Sequence, residues 1–162
     1  MRTPGALAIA VLAIGGALTG CAGGGGGGGG GGAPKPACKP PATPTVCFAN
    51  NIQPIFSRSC ALGGCHVGPV PAGGQDLTAG VAYGQTVNVP STQQPRLKRV
   101  KPGEPDASYM VRKIRGGPNI SGVMMPQGCP GAPLNGAQCL TPDDIAAIVQ
   151  WVVECAQNNS CG

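Results

Sequence analysis

Cys60-Ala61-Leu62-Gly63-Gly64-Cys65-His66 is the stretch on which the reading of this chain turns. It holds the only histidine of the 162 residues, directly after the second of two cysteines. Thiols and imidazole are ligands and nucleophiles, so two cysteines ending on a histidine raise the question of what they jointly hold. Gly63 and Gly64 accept backbone conformations closed to other residues, which lets the intervening segment loop out and bring its ends together. The plainer reading is a disulfide between Cys60 and Cys65 that closes a small loop, with His66 a solvated neighbour.

Outward from this stretch, helical signals alternate with long loops. Upstream, Asn50 to Phe56 leads towards Cys60 with Pro54 suited to a first helical turn, where its missing N–H costs no hydrogen bond. Pro105 to Ile114 predicts a middle helix, and Val123-Met124-Met125-Pro126 a loop carrying two thioethers. Thr141-Pro142-Asp143-Asp144 then combines an N-cap, a proline at the first helical position and two acids in the first turn. Ile145, Ile148, Val149, Val152 and Val153 recur at helical spacing behind it, with Trp151 beside them, and predict an amphipathic helix to about Ala156.

This order, with Ile52-Gln53-Pro54-Ile55-Phe56, Pro105-Asp106-Ala107-Ser108-Tyr109, Met125-Pro126 and the terminal Thr-Pro-Asp-Asp-Ile helix carrying Trp151, resembles the class I cytochrome c domains of bacteria over about Phe48 to Ala156. In that family two thiols add to the haem vinyl groups, and the histidine after the second thiol becomes the proximal iron ligand. Four residues separate the cysteines here where the family's usual motif has two, a longer spacing that also occurs at some haems of multihaem cytochromes. The resemblance implies a mainly α, cytochrome c-like small helical domain with long irregular loops. It implies that Cys60 and Cys65 attach haem c, that His66 is the proximal ligand, and that Met125 is the distal one with Met124 as its fallback. Phe56 and Trp151 become candidates for packing at the haem pocket, where the first and last helices of such domains cross. Zinc, the other partner of cysteine and histidine, is argued against by the single histidine and by thiols prone to oxidation in an exported chain.

Export is read from the N-terminus. Met1 and Arg2 precede an apolar stretch from Ala6 to Leu18 that is too short to span a bilayer comfortably and ends on small residues, the layout of a secretory signal. Leu18-Thr19-Gly20-Cys21 resembles the lipobox of bacterial lipoproteins, which implies lipidation of Cys21 and cleavage of the signal before it. Several acyl chains at about 0.8 kcal/mol per buried methylene would anchor the protein durably in a bacterial membrane, on its periplasmic or outer-membrane face. Gly23 to Gly32 and the prolines from Pro34 to Pro44 predict a flexible, then stiffer, tether. The expected organisation is therefore a signal at 1–20, a lipidated and disordered tether at 21–45, and the domain at 46–162.

The domain needs more than its side chains to hold it together. The chain carries 29 Gly and 18 Pro with only 3% aromatic residues, a composition that makes a thin core. Disulfides and an apolar cofactor are the visible supplements. Nine cysteines less Cys21 leave eight. Short-range pairs are Cys38–Cys47, Cys129–Cys139 and Cys155–Cys161, which would leave Cys60 and Cys65 over, although sequence leaves the connectivity open.

Most of the basic residues, Arg96, Lys98, Arg99, Lys101, Arg112, Lys113 and Arg115, fall in one stretch with only Glu104 and Asp106 nearby. Such a run is usually a solvated face; the sharper reading is that it pairs with haem propionates or docks an acidic redox partner. No aromatic platform accompanies it, which argues against nucleic acid. A membrane-tethered one-electron carrier is the expectation, with redox proteins as donor and acceptor and no small-molecule substrate. The alternative is a haem-free, disulfide-stapled surface lipoprotein. An enzyme such as a peroxidase would want an open distal iron site and usually a larger domain or a second haem motif.

Overall fold

Among the described residues, two α-helices of this glycine- and proline-rich chain start with a proline in their first turn, and one of them adds a side-chain cap. The computed structural model describes residues 37–161. The expected signal peptide, Cys21 and the expected tether as far as residue 36 lie outside the described residues. A π-helical turn, Phe48–Ile52, runs into α1 (Gln53–Ser59), with Pro54 in its first turn as the sequence predicts. A short helix that the sequence did not announce, α2 (Ala82–Thr86), follows the histidine loop. The expected middle helix is split: a 3₁₀ turn, Pro105–Ala107, precedes α3 (Tyr109–Arg115). Ser108 makes the break, its hydroxyl accepting from the Lys101 amide at 2.8 Å and donating to the Glu104 carbonyl at 2.9 Å. Such side-chain bonds offer the backbone an alternative to continuing a helix.

The last helix, α4 (Pro142–Val153), begins in the way its sequence dictates. The Thr141 hydroxyl accepts from the Asp144 amide at 3.1 Å and the Asp144 carboxylate from the Thr141 amide at 3.0 Å, a reciprocal capping box. It stops at Val153 rather than near Ala156, because Cys155 and Ala156 take φ of +71° and +47° and the Ala156 amide turns back to the Trp151 carbonyl. Among the described residues the β-structure consists of isolated bridges, Val87–Val100, Pro90–Lys98 and Lys98–Ser108, so the domain is mainly helical.

The core forms where α4 meets α3 and the Phe48–Ile52 turn. Phe48 is its hub, with ring centroids 5.4 Å from Trp151, 5.4 Å from Tyr83 and 6.2 Å from Phe56. The contacts with Tyr83 and Phe56 are edge-on, one of the geometries aromatic pairs prefer. Trp151 is fully buried and donates its indole N–H to the Gln157 carbonyl at 3.0 Å, so the polar handle of the largest core residue is satisfied.

Three disulfides supplement this core. Cys129–Cys139 closes the local loop the sequence suggested, but the other two short pairs are replaced by Cys38–Cys155 and Cys47–Cys161, which span 117 and 114 residues. The cause is a side-by-side run of the two ends of the domain. The Glu154 carboxylate accepts from the amides of Thr45 and Val46 at 2.9 and 3.1 Å, the Ala49 amide donates to the Asn159 carbonyl at 3.0 Å, and the Cys161 amide donates to the Asn50 side chain at 2.9 Å. Cysteines remote in sequence are thereby neighbours in space. The same ties move the expected boundary at residue 46: residues 38–45 are bound into the domain through Cys38 and Thr45. Among the described residues no helix is long and apolar enough to cross a membrane.

Candidate functional site

α1 delivers the chain to Cys60, and the four residues that follow fold into successive turns. The Leu62 amide donates to the Cys60 carbonyl at 3.0 Å, the Cys65 amide to Leu62 at 2.8 Å, and the His66 amide returns to Cys60 at 3.1 Å. Gly64, at φ +78°, supplies the left-handed step these turns need. The surplus residues between the cysteines are thus absorbed, and Cys60 and His66 are held together by a backbone hydrogen bond. Asn135, from the loop closed by Cys129–Cys139, donates its amide to the Cys65 sulfur at 3.4 Å.

Cys60 and Cys65 are free thiols, while the other six cysteines of the described residues are paired. Burial and the neighbouring Cys65 push the Cys60 thiol up to about 12, Arg58 opposing them in part, so Cys60 stays protonated at neutral pH. His66 is held by its ring: Nδ1 lies 3.2 Å from the Gln75 carbonyl oxygen, to which its N–H donates. That bond fixes the proton on Nδ1 and leaves the lone pair on Nε2, the arrangement a ligating histidine requires. Burial lowers the His66 pKa, with the positive charges of Arg99 and Lys113 adding to the effect against hydrogen bonds to the backbone of Gln75 and Ala72, and keeps the ring neutral at pH 7.

These groups share one cavity of about 250 Å³, close to the smaller of the sites that hold organic ligands, whose volumes begin near roughly 300 Å³. Cys60, Cys65, His66 and Met125 all line it, and Phe56, Leu77, Ile114 and Ile148 give it apolar walls. Of the two methionines, Met124 turns away: its side chain packs on Gly116, where an added Cβ would crowd its sulfur. Phe56 lies on the wall as the sequence reading expected. Trp151 does not line the cavity; it is a buried core residue tilted against Phe48, while Ile148, one turn earlier on α4, reaches the cavity.

The polar end of the cavity is cationic. Arg99 and Lys113, part of the basic run, are buried at 5% and 8% exposure and line the cavity; Arg96 and Arg115 are the members of that run left exposed. Arg99 donates to the Gln85, Gly73 and Gly74 carbonyls at 2.7, 2.9 and 3.1 Å, and no carboxylate among the described residues lines the cavity. The buried Ser59 hydroxyl, also on the wall, has no hydrogen-bond partner among the described residues. Two buried cations, an orphan hydroxyl, two thiols, a lone-pair imidazole nitrogen and a thioether around apolar walls form a donor set suited to a flat apolar group with a ligating metal and acidic substituents. Tyr109, Met110, Lys113 and Ile114 reach this cavity from one face of α3, and their i, i+4 spacing was the available signal that Lys113 points inward rather than to solvent. No family model, curated protein or solved structure matches the chain.

Proposed function

We propose that this protein is an exported one-electron carrier that holds a single covalent haem c in the cavity between α1, α3 and the Met125 loop. The observation that carries the reading is the convergence of two unpaired thiols, a histidine with its Nε2 lone pair free and Met125 on the walls of one cavity. Cys60 and Cys65 would hold the haem through thioethers, a linkage that uses thiols and not a disulfide. His66 and Met125 would be the axial ligands. When bound, the haem supplies a site where one electron is gained or lost, and a Met/His pair raises its potential.

The chain's own residues orient and shield. The Gln75 carbonyl sets the tautomer and plane of His66, and Phe56, Leu77, Ile114 and Ile148 exclude water. Arg99 and Lys113 offer positive charge to the propionates. In this reading the protein performs no bond-making on a substrate, and its partners are redox proteins approached at a membrane surface to which Cys21 tethers it. Disulfides fit the oxidising compartment that this location implies.

The test is an intact mass and a visible spectrum of the protein expressed in a periplasm with cytochrome-maturation machinery. The expected result is a mass gain of one haem that survives acid-acetone extraction and is lost in the Cys60→Ala, Cys65→Ala variant. A colourless wild-type protein carrying a Cys60–Cys65 disulfide would refute the reading and favour a haem-free surface lipoprotein stapled by four disulfides.

A further inference from the structure

The segment that carries Met125 has no regular structure of its own; Gln94 touches it at Ser121 and Leu134 at Gln127, but the bonds to the backbone just ahead of and at Met125 come from α3. The Lys113 ammonium is buried beneath it and donates to the Ser121 and Val123 carbonyls at 2.8 and 2.5 Å. The Lys113 carbonyl accepts from the Met125 amide at 2.9 Å, and the Tyr109 hydroxyl accepts from the Ser121 amide at 2.8 Å. One residue therefore grips the loop at three points, two through its side chain and one through its backbone. Among the described residues Lys113 has no carboxylate partner. A buried ammonium is costly to desolvate, and only well-placed acceptors offset that cost; here both acceptors are backbone carbonyls of the methionine loop.

We propose that Lys113 is the positioning residue for the Met125 thioether, holding its loop so that the sulfur stays on the cavity wall. The inference rests on the reading of Met125 as distal ligand. It does not depend on the charge of Lys113 towards any propionate, because its effect is exerted through the loop backbone. Removing the ammonium leaves Met125 in the chain while releasing the two carbonyls that hold its approach.

The experiment measures how readily imidazole displaces the thioether from ferric iron in the holoprotein, followed by the loss of the far-red sulfur-to-iron band. In Lys113→Met, two charge-assisted bonds are lost and imidazole affinity is expected to rise about a hundredfold. Thr141→Ala, which weakens the cap of α4 away from the cavity, controls for general destabilisation and should leave the affinity at the wild-type value. An affinity in Lys113→Met within about twofold of wild type overturns the assignment. If Lys113→Met does not accumulate as holoprotein, Lys113→Leu, which also removes both donors from the Ser121 and Val123 carbonyls, takes its place under the same criterion. A wild-type protein without haem would overturn the distal-ligand reading and this assignment together, whereas a haem-loaded wild type with an unresponsive Lys113 variant overturns the assignment alone.

Discussion

Removal of the two long disulfides should be distinctly non-additive, and the size of the effect follows from how they are nested. Cys38–Cys155 alone closes 117 residues, for which the chain-entropy relation gives about 5 kcal/mol. Once it is closed, Cys47–Cys161 no longer closes 114 residues. It closes only the nine positions between Cys38 and Cys47 and the six between Cys155 and Cys161, a residual loop of about fifteen worth about 3 kcal/mol. Either disulfide removed singly should therefore cost about 3 kcal/mol, while removal of both should cost about 8 kcal/mol, some 2 kcal/mol more than the sum of the singles. Equilibrium unfolding in guanidinium of the paired Cys→Ala variants gives all four corners of the cycle, and the small cavity left at the buried Cys47 cancels between them. Single losses near 5 kcal/mol each, adding to about 10, would mean that the two bonds constrain the unfolded chain independently and would refute the nesting argument.

Two further outcomes are expected. Thr141→Ala removes one half of the capping box on α4 and should cost about 1 kcal/mol, read as a fall of roughly 3–6 °C in Tm; an unchanged Tm would mean that packing, and not the cap, sets the start of the helix. For Glu154, burial raises the pKa, but hydrogen bonds from Thr45, Gln150 and Val46 outweigh it and hold the carboxyl below its ordinary range. The stability it contributes is complete above its unfolded value of about 4.3 and is lost as pH falls through the lower folded value, so the gap in stability between wild type and Glu154→Gln should narrow on acidification below about pH 4; a gap that is constant from about pH 7 to 3 contradicts the assignment.

What was legible in the sequence was what short-range physics determines. The start of α4 is written in four consecutive residues, Thr141 to Asp144, because a cap is a local hydrogen-bond problem. Pro54 marked the first turn of α1 for the same reason. The ends were less legible. α4 terminates where Cys155 is drawn to Cys38, a partner 117 positions away, and no periodicity in the helix reports that bond. Two of the three short-range cysteine pairings failed likewise, since proximity in sequence says nothing of two chain ends laid side by side by Glu154, Asn159 and Asn50; Cys129–Cys139, a local loop away from those ends, forms as expected.

The candidate site divides along the same line. Cys60, Cys65 and His66 were legible because they are contiguous, and Met125 because a methionine before a proline in a late loop is a short motif. Which of two adjacent methionines meets the cavity was settled by Gly116, whose lack of a side chain gives Met124 its resting place and leaves Met125 at the wall. For Arg99 and Lys113 the sequence left open a solvated face or a role at a bound group, because a run of basic residues is normally solvated. Their burial depends on carbonyls contributed by Gly73, Gly74, Gln85, Ser121 and Val123, acceptors that no composition reveals. A charge becomes part of a site when irregular backbone nearby has carbonyls to spare, and this chain's long loops supply them at both of its buried cations. The glycine- and proline-rich segments that weaken its helices are thus also what positions the groups around its cavity.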